Sequence, residues 1–134
     1  MIALLLLALV TQDEGTRIDR VIAVVDQEVV TEAELVLEAR LALARRGAVK
    51  SAAKPIDPRF LEGFLDYLVN QLLISSQARR LGSVSVSDDE VQQELDRFSD
   101  KFPSRSDFDG FLTQFDISEE RVRGVLLRDL RNGR

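Results

Sequence analysis

The stretch from Ile18 to Leu35, IDRVIAVVDQEVVTEAEL, constrains the fold more than any other part of this 134-residue chain. An apolar run at residues 21–25, VIAVV, meets a polar turn at residues 26–28, DQE, and two more valines follow. Thr31 and Glu34 then have the Thr-x-x-Glu spacing of a capping box. The stretch therefore predicts a short strand, a tight turn, a second short strand and the start of a helix.

Helical periodicity and capping residues predict a mainly α fold: five helices that follow a small N-terminal β-hairpin at about residues 18–30. The five helices are expected from Glu32 to about Arg46, from Pro58 to about Leu81, at about residues 88–102, after Ser104 or Ser106, and after Ser118. The second of them has a broad apolar face, which predicts a position at the centre of the domain. Residues 48–56, AVKSAAKPI, predict a mobile loop that buries little.

The composition limits the possible chemistry. A chain of 134 residues with 45% hydrophobic and 31% charged residues is typical of one folded domain. Its net charge of −5 does not favour nucleic-acid binding. The chain has neither Cys nor His, which excludes Cys nucleophiles, Ser-His-Asp triads and Cys- or His-ligated zinc sites. No nucleotide-binding motif is present, and we expect no cofactor and no metal.

Two groups of charged residues could suggest binding chemistry. The acidic group at residues 88–90 lies in the first turn of a predicted helix, where carboxylates stabilise the helix dipole. Five arginines near the end of the chain, Arg121, Arg123, Arg128, Arg131 and Arg134, alternate with Val and Leu. This pattern predicts a solvated helix face rather than a site for an anionic ligand.

Residues 1–10, MIALLLLALV, are similar to the apolar part of a secretory signal and are too few to span a bilayer. We therefore expect a signal segment and linker at residues 1–16 and a domain at residues 17–134. Export would place that domain in a periplasm or outside the cell. The alternative is that the apolar segment forms a buried strand or helix of the fold.

Three stretches resemble the N-terminal domain of the SurA-type periplasmic chaperones, a family linked to parvulin isomerases. They are the opening hairpin, residues 64–74 (FLDYLVNQLLI) with the helix end at residues 77–82 (QARRLG), and residues 86–91 (VSDDEV). Their order along residues 18–132 is more specific than any one of them. The resemblance implies a SurA N-terminal-domain-like fold in the periplasm and a chaperone module that holds unfolded outer-membrane proteins. Because no stretch resembles a parvulin domain and His is absent, we do not expect an enzyme.

The resemblance also implies a C-terminal helix that returns to complete the core, and no such helix is recognisable here. Its absence predicts an open apolar groove, which client peptide, a second copy or a swapped segment could fill. The candidate peptide-binding residues are Phe64, Leu68, Leu72, Phe98, Phe102, Phe108 and Phe111. The alternative is that they fill the core, since aromatic stripes at helical spacing usually do. Phe102 and Phe108 flank the loop at Pro103, and of the seven they are the ones expected to be partly exposed.

The sequence thus favours a periplasmic holdase, a chaperone that binds unfolded or extended polypeptides through apolar grooves. Neither nucleic acid nor a membrane span is expected. One alternative is a non-catalytic assembly module, such as a homodimer, whose groove is filled by itself or by one partner. Another is an accessory domain of a parvulin-type peptidyl-prolyl isomerase.

Overall fold

The computed structural model describes residues 19–82 and 85–134. They form a two-stranded antiparallel hairpin and six helices: β1 (Val21–Val25), β2 (Glu28–Thr31), α1 (Glu32–Arg45), α2 (Val49–Ala52), α3 (Pro58–Leu81), α4 (Asp88–Ser99), α5 (Arg105–Gln114) and α6 (Glu119–Asn132). The predicted mainly α fold with a small hairpin is confirmed, although the predicted number of helices is one too low. The predicted signal segment at residues 1–16 lies outside the described residues. Among the described helices, none combines the length and apolarity needed to cross a membrane.

The hairpin forms where the valine runs predict it. Val24 pairs with Val29 and Val25 with Glu28, so only two residues make the turn. Asp26 in that turn has a φ of 56°, a left-handed conformation that Asp tolerates better than most residues. The Thr31 hydroxyl accepts a hydrogen bond from the backbone N–H of Glu34 and thereby caps α1.

The helix boundaries follow local chemistry closely. Ser87 and Glu90 form both hydrogen bonds of a capping box at the start of α4. Asp57, Ser104 and Ser118 cap α3, α5 and α6 with one such bond, in which the side-chain oxygen accepts a backbone N–H. One boundary differs from its prediction: α4 ends at Ser99 rather than near residue 102.

The segment at residues 48–56 is not the loop with little to bury that the sequence predicts. It contains the short helix α2, and the side chain of Ala52 is fully buried. Nη1 of Arg40 donates to the carbonyls of Ala52 and Lys54, at 2.5 Å and 2.9 Å. A side chain from α1 therefore holds this segment, and that contact cannot be inferred from the segment's own composition.

The core consists of two apolar clusters. One lies between the hairpin, α1 and α3; the other lies between α1, α2 and the three C-terminal helices. α3 contacts α1, α6 and β1, as its broad apolar face predicts. However, α1 is the helix that contributes to both clusters, through Leu35 and Ala39 to the first and through Leu41 and Ala44 to the second.

Candidate functional site

The seven predicted peptide-binding residues are all buried: Phe64, Leu68 and Leu72 in the hairpin cluster, and Phe98, Phe102, Phe108 and Phe111 in the C-terminal cluster. The expected partial exposure of Phe102 and Phe108 is wrong, because their ring centroids lie 5.3 Å apart inside an aromatic cluster with Phe98 and Phe111. These residues therefore fill the core, and the expected open apolar groove is not seen among the described residues.

A narrower cleft does bring two of the seven residues together. It lies between α1, α3, α4 and α6 and has a volume of about 390 Å³. Leu41, Phe64, Phe98 and Val125 contribute apolar surface to its lining. We call this the central cleft. Since the four residues come from both core clusters, the cleft lies where the two clusters meet.

The central cleft has a charged rim with an excess of basic side chains. Five basic and three acidic side chains line it. The acids are all paired: Asp129 with Arg45, Glu94 with Arg97 and Glu38 with Arg128. Arg46 and Lys101 form no ion pair with another residue in the described part of the chain. The free positive charge at the rim therefore comes from these two exposed side chains.

The pair of Glu38 and Arg128 fixes one wall of the cleft. Nη1 and Nη2 of Arg128 lie 2.7 Å and 2.9 Å from the two carboxylate oxygens of Glu38, a bidentate arrangement. The side chains are only 13% and 6% exposed. Burial alone would lower the pKa of Arg128, but hydrogen bonds and charge from Glu38 and Asp129 raise it above its usual value. The predicted solvated arginine face is therefore wrong for Arg128.

An exposed apolar stripe continues from the cleft along α3. Tyr67 lines the cleft, and Ile74 and Leu81 follow at intervals of seven residues, which places all three on one side of the helix. Their exposed fractions are 45%, 44% and 77%. Successive members lie two helical turns, or about 10 Å, apart, so they provide three spaced apolar contact points along one side of α3. We call these three residues the apolar stripe.

The predicted residues Leu68 and Leu72 line a different cavity, of about 380 Å³, between the hairpin, α1, α3 and α6. Seven charged side chains also line that cavity. Arg79 and Glu28 form one ion pair there, with 2.6 Å between Nη2 and Oε1. This cavity is therefore lined by charged as well as apolar side chains and is not a purely apolar groove.

The outer face of the hairpin is also apolar. Val24 and Val29, which lie directly opposite each other in the two strands, are both exposed, as is Val21. The turn is tied to α3, because the Asp26 carboxylate accepts hydrogen bonds from Ser76 at 2.6 Å and from Arg80 at 3.0 Å. The Ser76 hydroxyl, followed by the charge of Arg80, lowers the pKa of Asp26 below its ordinary value.

Sequence reasoning missed Tyr67, Arg40 and Glu38 as residues of interest. Both charged residues occupy positions in an apolar repeat of α1, where Leu37, Leu41 and Ala44 mark the same side as Arg40. A charge at an apolar position of a repeat is a signal that was available in the sequence. Tyr67 carried no comparable signal, because a tyrosine within a broad apolar face is compatible with burial.

Among the described residues, no group of three or more acidic side chains is arranged to hold a metal ion. No family model, no curated protein and no solved structure matches this chain. The chemistry of the central cleft and the apolar stripe is therefore the basis for assigning a function.

Proposed function

We propose that this chain is a periplasmic holdase-type chaperone module that binds unfolded outer-membrane polypeptides without catalysis. The central cleft and the apolar stripe are the proposed contact surface. The observation that carries the proposal is the exposure of Tyr67, Ile74 and Leu81 in a row that begins at the cleft. The resemblance of the hairpin, of residues 64–82 and of residues 86–91 to SurA-type chaperones supports it independently.

The physical properties of this surface suit weak binding of many different sequences. Burial of apolar area contributes about 25 cal/mol per Å² before the costs of association, and it requires no particular sequence. A cleft of about 390 Å³ has room for one or two side chains rather than a folded partner. Arg46 and Lys101 at its rim add attraction for acidic segments of a client.

The proposed location rests on residues 1–10, which are similar to a secretory signal. Fractionation of cells that produce the full chain, followed by N-terminal sequencing, tests it. Recovery of a chain shortened near residue 16 in the periplasm would support export. A full-length chain in the cytoplasm would contradict it.

Light scattering during aggregation of an unfolded outer-membrane protein tests the proposed activity. We expect the full chain to suppress aggregation at near-stoichiometric amounts, and a preparation that begins at Arg17 shows whether the apolar segment contributes. Tyr67→Glu and Ile74→Glu should weaken suppression, because each places a charge on the apolar stripe. Gln114→Glu, at an exposed position of α5, adds the same charge elsewhere and should have no effect. Equal suppression by all three variants would contradict the proposed surface.

The exposed valines of the hairpin favour a second candidate, a non-catalytic assembly module. Val24 and Val29 could form a self-complementary face between two copies. Sedimentation equilibrium distinguishes the two functions. A stable dimer that does not suppress aggregation would favour assembly, whereas a monomer that suppresses it would favour the holdase. Prolyl-isomerase turnover by this chain alone would contradict both.

A further inference from the structure

A groove between the start of α1 and the α5–α6 link is separate from the central cleft. It has a volume of about 740 Å³. Val36 and Leu37 of α1 and Phe115 and Ile117 of the link provide its apolar lining, and Arg40 also lines it. We call it the Arg40 groove.

Arg40 is an unusual residue for this position. It is only 8% exposed, and no carboxylate of the described residues pairs with it. Nη1 is used by the carbonyls of Ala52 and Lys54, and the guanidinium carbon lies 3.8 Å from the centroid of the Phe115 ring. Nε and Nη2 form no hydrogen bond with a described residue. One edge of the guanidinium therefore has no hydrogen-bond partner among the described residues.

A buried cation without a counter-ion is energetically unfavourable, and burial lowers the pKa of Arg40. The two carbonyls and the aromatic face of Phe115 offset part of that cost. A carboxylate would offset more, because it can accept two parallel, charge-assisted hydrogen bonds from the free guanidinium edge. The groove thus combines a site for a carboxylate with apolar surface beside it.

Acidic residues at the mouth of the groove limit which carboxylate-bearing ligands can approach Arg40. Asp19 and Glu32 are exposed there; Asp19 accepts the backbone N–H of Ala33 at 3.0 Å, and Glu32 lies 3.5 Å from Arg20. These acids repel a segment with several acidic side chains. A C-terminal residue instead carries its carboxylate and its side chain on one carbon, so it can reach Arg40 and the apolar wall together.

We propose that the Arg40 groove binds the C-terminal residue of a polypeptide, with its α-carboxylate on Arg40 and an apolar side chain against Phe115 and Ile117. The proposal rests on the proposed function only in that the ligand is a polypeptide chain. It concerns a different surface, and its test can fail independently.

Val36→Asp is the variant that separates ligand binding from folding. Val36 is half-buried and lies one helical turn before Arg40, on the same side of α1. An aspartate there supplies a carboxylate from within the chain and should compete with the ligand for Arg40. Val36→Asn has nearly the same shape without the charge and is the matched control. Circular dichroism of both variants verifies that the helices remain.

Fluorescence anisotropy with two fluorescein-labelled GSGSGSLF peptides, one with a free C-terminus and one amidated, measures the effect on the full chain. We expect the free acid to bind about tenfold more tightly than the amide, which corresponds to about 1.4 kcal/mol. Val36→Asp should abolish this ratio, and Val36→Asn should preserve it. Arg40→Gln should abolish it as well, with folding monitored in the same way.

Three results would overturn the proposal: equal binding of acid and amide, a ratio that Val36→Asp leaves unchanged, or equally tight binding of an amidated peptide with an internal aspartate. Tyr67→Glu should not alter the acid-to-amide ratio, although it should weaken suppression of aggregation. In the unsubstituted chain, equal binding of acid and amide together with suppression of aggregation would refute this inference alone. Tighter binding of the acid without any suppression by the unsubstituted chain would refute the proposed function alone.

Discussion

A buried pair of charged residues links α6 to α1 beside the apolar core that the two helices share. Glu38 and Arg128 lie 90 positions apart in the chain, and both are almost enclosed. Such a pair contributes little relative to a well-packed apolar pair, but removal of one partner leaves an uncompensated charge in the interior. Replacement of both residues by apolar side chains should therefore destabilise the fold less than replacement of only one of them.

Glu38→Gln should therefore lower the free energy of unfolding by about 2 kcal/mol, because Arg128 would lose its bidentate, charge-assisted partner and keep only Asp129, 3.0 Å away, as a counter-ion. Urea unfolding at pH 7 measures the change. Glu34→Gln is the control: Glu34 lies 3.7 Å from Arg121 in an exposed pair, so we expect a loss below about 1 kcal/mol. Equal losses in the two variants would show that the Glu38–Arg128 pair is not effectively buried.

At the scale of single elements, local chemistry predicts most of the structure. The hydroxyls of Thr31, Ser87, Ser104 and Ser118 begin helices where the sequence places them, because each cap bonds a backbone N–H only a few residues away. The short helix α2 was not predicted, since Arg40 of α1 holds it from outside the segment. Local patterns therefore predict where an element begins, but they do not reveal what a distant side chain stabilises.

The turn of the hairpin is attached to α3 through ionised side chains. Asp26 makes one of these contacts, and the pKa of Asp26 is lowered by the Ser76 hydroxyl and then by Arg80. Because the folded-state pKa lies below the ordinary value of 3.8, the stability that ionised Asp26 contributes is complete well above pH 3.8. It is lost as the pH falls through the lowered value.

Asp26→Asn should thus be less stable than the parent chain at pH 6, and the difference should shrink as the pH falls below about 4. Thermal unfolding of the two proteins from pH 6 to pH 2.5 measures this difference. Asp66→Asn, at an exposed position of α3, is the control and should show no comparable trend. A difference for Asp26→Asn that is constant over the whole range would contradict the role of its charge.

At the scale of the whole molecule, the packing of the two clusters decides which residues are accessible. Phe102 and Phe108 flank the loop at Pro103, which predicts partial exposure, yet their rings are packed against those of Phe98 and Phe111. Periodicity predicts that Phe98 and Phe102 share one side of a helix and that Phe108 and Phe111 share one side of the next. It does not predict which elements cover those sides. The central cleft was not predictable for the same reason, because its lining comes from four helices.

The arrangement of the two clusters also determines how the molecule should unfold. α1 contributes side chains to both, and Asn132 of α6 donates to the backbone carbonyl and to the side-chain oxygen of Gln71 in α3, each at 2.9 Å. Neither cluster can lose α1 without exposing the apolar surface of the other. The described residues should therefore unfold in one cooperative transition.

Tyr67 provides a local probe of this cooperativity, since it is the only tyrosine in a chain without tryptophan. Its ring centroid lies 5.4 Å from that of Phe64, in the hairpin cluster. Urea transitions followed by Tyr67 fluorescence and by far-ultraviolet circular dichroism should coincide. Phe108→Leu removes fully buried volume from the other cluster and should lower the free energy of unfolding by at least about 1 kcal/mol. Because α1 links the clusters, both probes should shift equally; a shift of the dichroism alone would mean that the two clusters unfold separately.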